Sequence, residues 1–79
     1  MRLLNKNTDQ ALSYVVVYLT PAEATQMLGY LEQLLAEPDQ HHAHLNDDEF
    51  THEITLAVYT AQNLSEFDAR SRKLIEEGQ

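Results

Sequence analysis

Cysteine and tryptophan are absent from this 79-residue chain, and glycine and proline occur only twice each. Without cysteine, no disulfide supports the small core, and no thiolate serves as metal ligand or nucleophile. Gly29 and Gly78 lie too far apart to build a phosphate-cradling loop. Long apolar runs are missing as well. The longest aliphatic run is Val15-Val16-Val17, far short of the roughly 20 residues that span a bilayer. The polar residues 5–10 follow Leu3-Leu4 directly and leave no signal-peptide pattern. These absences point to a protein of the cytoplasm.

Basic residues are the other shortage. There are five Lys and Arg against thirteen Asp and Glu, for a formal net charge of −8. The imbalance is concentrated: residues 20–63 hold eight acids and not one Lys or Arg. A field of that sign repels phosphate backbones, so neither nucleic acid nor an anionic membrane is expected as a partner. It draws a basic protein surface instead.

The strongest positive signal is Thr20-Pro21-Ala22-Glu23, a capping box with proline at the first helical position. It opens a helix predicted over residues 20–36, with Ala24, Met27, Leu28, Leu31, Leu34 and Leu35 as the buried stripe and Leu31 at its centre. Pro38 ends it. Before the helix, residues 12–19 read as a strand, rich in β-branched and aromatic side chains and apolar on both faces. After it come a short strand over residues 41–45, a turn at Asn46-Asp47-Asp48-Glu49, and a strand over residues 50–60. In that last strand Phe50, His52, Ile54, Leu56 and Val58 take one face, and Thr51, Glu53, Thr55, Ala57 and Tyr59 the other. Ser65 is the expected cap of a second helix, and Gly78 its end. Residues 1–11 read as an arm or a short added strand.

The order is β-α-β-β-α in one small α+β domain spanning residues 1–79. The expected architecture is two-layered: a three-stranded sheet of mixed direction, largely antiparallel, with both helices on one face. This topology resembles the split β-α-β, ferredoxin-like arrangement lacking its last strand. The outer edge of residues 12–19 then has no partner within the chain. Such an edge invites a second copy, so a homodimer is expected.

Two groups of residues stand out as candidate sites. Closing the hairpin with Leu45 opposite Phe50 puts His42, His44 and Glu53 on one face, three of the four ligands that zinc takes. His52 is expected at the margin of the core. Tyr14, Tyr18 and Tyr59 are candidate binding residues, since tyrosine pairs a large apolar body with a polar tip. No catalytic residue is assigned, because Ser13, Ser65 and Ser71 lack any activating motif. Two functions follow as expectations. One is a non-enzymatic protein-interaction module, homodimeric, of the inhibitor or immunity kind that neutralises a basic protein. The alternative is a metal- or small-molecule-binding domain built on His42, His44 and Glu53.

Overall fold

The computed structural model describes residues 1–40 and 42–79. Among them the chain is a small α+β protein with two helices and two separate two-stranded antiparallel sheets. It divides into two compact units, Tyr18–Asn63 and Met1–Val17 with Leu64–Gln79.

In the Tyr18–Asn63 unit, helix α1 spans Pro21–Ala36. Its capping box forms in full: the Glu23 amide donates to Thr20 Oγ1 at 3.2 Å, and the Thr20 amide to Glu23 Oε1 at 2.9 Å. The helix closes at Glu37, whose amide donates to the Gln33 carbonyl at 2.8 Å. A single 3-10 turn, Pro38–Gln40, leads on. Strands β3 (His42–Asn46) and β4 (Glu53–Ala57) then pair antiparallel, with Leu45 opposite Ile54. The helix packs on both strands. Leu34 and Leu45 are the buried apolar residues of this unit, with Met27, Tyr30, Ala43, Ile54 and Leu56 half-buried.

The helix is turned relative to the expected stripe. Leu34 is 1% exposed, whereas Leu31, expected at the centre, is 38% exposed, and Leu28 and Leu35 are more open still. The helix carries two adjacent apolar rows, Met27-Tyr30-Leu34 and Ala24-Leu28-Leu31-Leu35. A two-stranded hairpin is wide enough to cover only one of them.

The last strand is also shorter than residues 50–60. Phe50 lies at φ 56° and is exposed, so it belongs to the turn and not to the core face. Past β4, the Asn63 side chain is buried and bridges the chain: its Oδ1 accepts from the Thr60 amide at 2.7 Å, and its Nδ2 donates to the Val58 carbonyl at 2.9 Å.

In the other unit, β1 (Leu3–Asn5) and β2 (Gln10–Leu12) form a short hairpin. Asn5 Oδ1 accepts from the Asn7 and Thr8 amides, which fixes the turn. Helix α2 spans Ala69–Glu77 and is capped by Asp68, whose carboxylate accepts from the Ser71 amide at 2.7 Å. Ser65 lies instead in a 3-10 turn, Leu64–Glu66. Gly78, at φ 76°, ends α2 in the left-handed conformation that favours glycine. Two arginines join hairpin and helix. Arg2 Nε donates to the Leu74 carbonyl at 3.0 Å, at the negative end of α2, and Arg70 Nε to Asp9 Oδ1 at 2.9 Å. Leu74 is the buried apolar residue here.

The three-stranded sheet is not confirmed. Of residues 12–19, only Leu12 pairs, opposite Leu3; residues 14–19 lie outside any helix or ladder. Their composition favours a strand, but a strand also needs a neighbour to accept its hydrogen bonds. The ladder of β1 ends at Leu3, and the next residue outward, Arg2, is turned to α2.

Candidate functional site

The hairpin pairing differs from the expected one by four residues along β4, with Leu45 opposite Ile54 and not Phe50. An even shift leaves every side chain on its expected face. Asp47 causes it. Its Oδ1 accepts from the amides of Thr51 (2.8 Å) and His52 (3.2 Å), and its Oδ2 from the Thr51 hydroxyl (2.9 Å). His52 Nδ1 donates to the same Oδ2 at 2.6 Å. The strand cannot begin until these residues have turned. The Asp47 carboxyl is held well below the usual carboxylate range, chiefly by the His52 ring; partial burial opposes this, and the Thr51 and amide hydrogen bonds add to it. His52 is therefore not at the margin of the core. Its side chain is 85% exposed and is hydrogen-bonded to the Asp47 carboxylate.

His42, His44 and Glu53 do share the exposed face of β3–β4. The His42 and His44 rings meet edge-on with centroids 5.0 Å apart, and His44 Nδ1 lies 2.9 Å from Thr55 Oγ1 and 3.5 Å from Glu53 Oε1. Among the described residues, however, no group of three His, Asp or Glu side chains is placed to hold a metal ion. His41, the first residue of the strand expected over residues 41–45, lies outside the described residues.

The tyrosines fall on two segments. Tyr14 and Tyr18 bracket the run Tyr14-Val15-Val16-Val17-Tyr18, which is open throughout: the tyrosines are 81% and 89% exposed, and the three valines about half. Tyr59 follows β4 and is exposed. The run is also free of charge, since no Asp, Glu, Lys or Arg occurs between Asp9 and Glu23.

Charge divides along the two units. Met1–Val17 with Leu64–Gln79 holds five acids and five bases; Tyr18–Asn63 holds eight acids and no Lys or Arg. No described helix is long and apolar enough to cross a membrane. The Leu28-Leu31-Leu35 row was legible as apolar in the sequence, but its exposure depends on the width of the sheet beneath it. The chain matches no protein-family model, no curated protein and no solved structure.

Proposed function

We propose that the protein is a non-enzymatic interaction module of the cytoplasm that works as a homodimer, with residues 12–19 as the self-interface. One observation carries this reading: Tyr14-Val15-Val16-Val17-Tyr18 is exposed, uncharged and without a ladder. Side chains of this kind gain most by pairing as a strand, and a second copy offers the same run in return. The missing charge matters equally. Each chain carries −8, and two copies meet with least repulsion where neither presents an acid. Pairing would turn the run into the strand its composition describes. The all-acidic unit leaves a second task, capture of a basic protein in the manner of an inhibitor or immunity protein.

Light scattering tests the dimer. The expected mass is about twice the 9.1 kDa chain. Val16→Pro removes a strand N–H and is expected to give monomer, while Tyr59→Glu, outside the run, leaves the dimer intact. A wild-type mass of one chain at micromolar concentration refutes the reading. Dissociation by Tyr59→Glu would move the interface to the sheet face.

A further inference from the structure

We infer that the outward face of α1 is the docking surface for a basic amphipathic helix of another protein, with Leu28, Leu31 and Leu35 as its apolar contacts. The inference rests on the interaction-module reading and adds the surface and the chemistry of the partner. Ala24, Leu28, Leu31 and Leu35 are spaced by four, three and four residues and run along about 16 Å of helix. All four are exposed, Leu28 and Leu35 at 58% and 71%. That spacing matches one seam of a helix pair, in which each apolar side chain seats between those of the partner. The neighbouring row holds the buried Leu34 with Met27 and Tyr30 half-buried, and rotating α1 to cover the leucine row would expose Leu34.

Charge selects the occupant. Glu32 stands four residues after Leu28 and three before Leu35, which puts it at the edge of the row. No basic residue occupies the last turn of α1, and Glu37 and Asp39 follow it, so the negative end of the helix is left uncompensated. A second copy would bring an equal set of eight acids against this unit. A helix with Lys or Arg flanking its own apolar row meets the leucines and the field together. The two surfaces thus serve different partners: the uncharged run its own copy, the leucine row a basic chain.

The full chain is titrated against a synthetic helix of leucine and lysine, about five turns long, with leucine at every third or fourth position. The control is a peptide of the same composition with the leucines scrambled; binding is followed by fluorescence anisotropy at about 0.15 M salt. The expected result is saturable binding of one peptide per chain, at least about tenfold tighter than the scrambled control. Leu28→Ser with Leu35→Ser, both at exposed sites, should weaken it by at least about tenfold with an unchanged circular dichroism spectrum. Equal binding of the two peptides, no binding, or full binding by the double variant overturns the inference. The double variant keeps the dimer mass, and Val16→Pro keeps peptide binding. Loss of one activity therefore leaves the other readable, and failure of the dimer is distinguished from failure of the docking surface.

Discussion

Truncating Leu34 tests the packing of α1 most directly. The residue is 1% exposed and shares the core of its unit with Leu45. Leu34→Ala removes buried methyl groups and leaves a cavity that a helix on two strands closes only in part, at a cost of about 2–5 kcal/mol. At about 0.05–0.15 kcal/mol per residue, a chain of this length has only about 4–12 kcal/mol in total. Leu31→Ala is the matched control on the same helix. Leu31 keeps more than a third of its area in water, no closed cavity forms there, and alanine returns a few tenths of a kcal/mol in helix propensity. Its cost should stay near 1 kcal/mol. Urea unfolding followed by circular dichroism measures both. Should Leu34→Ala fail to fold, Leu34→Met, which conserves volume, gives a measurable intermediate loss below about 1.5 kcal/mol. Equal losses for Leu31→Ala and Leu34→Ala would mean that the two apolar rows are buried alike. A Leu31→Ala loss that grows with protein concentration would place a second copy, and not a basic partner, on that row.

Asp47 contributes to the acid limb of stability. Its folded pKa is depressed, so its contribution is complete above the unfolded value of about 3.9 and is lost as pH falls from there through the folded value. NMR titration of the wild type should find its carboxyl still ionised where ordinary aspartates are half protonated, and His52→Ala should move that midpoint upward; an ordinary midpoint in the wild type refutes the Asp47–His52 pairing. Gly29 lies inside α1, and a Cβ added there meets nothing within 4 Å. Gly29→Ala should therefore raise stability by about 0.5–1 kcal/mol in urea unfolding, and a loss would show that another chain approaches the helix at that point. Raising salt from about 0.05 to 0.5 M should weaken peptide docking and leave the dimer mass unchanged, since only the first depends on opposite charge.

How far the chain could be read from its sequence depended on how local the determinant was. The limits of α1 were legible because Thr20, Pro21, Glu23 and Pro38 act within one turn of the backbone they control. Gly78 was legible for the same reason. The face assignments in β3 and β4 also held, since alternation survives any even shift of register. The register itself did not, because the turn between the strands is organised by the Asp47 side chain reaching four and five residues along the chain to Thr51 and His52. Asp68, and not Ser65, caps α2; both positions offered a side-chain acceptor, and composition alone does not rank them. The strand over residues 12–19 failed for a different reason. Its composition favours a strand, but a strand is a relation between two segments, and among the described residues only Leu12 of this run is paired, opposite Leu3.

That failure and the misphased helix have one origin. A third strand beside β3 and β4 would supply both the missing ladder for residues 14–19 and the extra sheet width that a second apolar row on α1 requires. Within one chain neither is satisfied, and the outcome is two exposed apolar surfaces on a protein with only three buried apolar residues among those described, Leu34, Leu45 and Leu74. Exposed apolar area on this scale is costly for a chain without disulfides, and the proposed partners are the means by which it would be covered. The two surfaces are not equivalent in charge. Residues 10–22 carry none, while α1 belongs to a unit with eight acids and no Lys or Arg. Like charges exclude a copy from the second far more strongly than from the first. The proposed basic partner is repelled by neither surface and is drawn to the acidic unit that carries α1. On the reading proposed above, the same charge distribution is what directs self-association to the uncharged run and hetero-association to the leucine row.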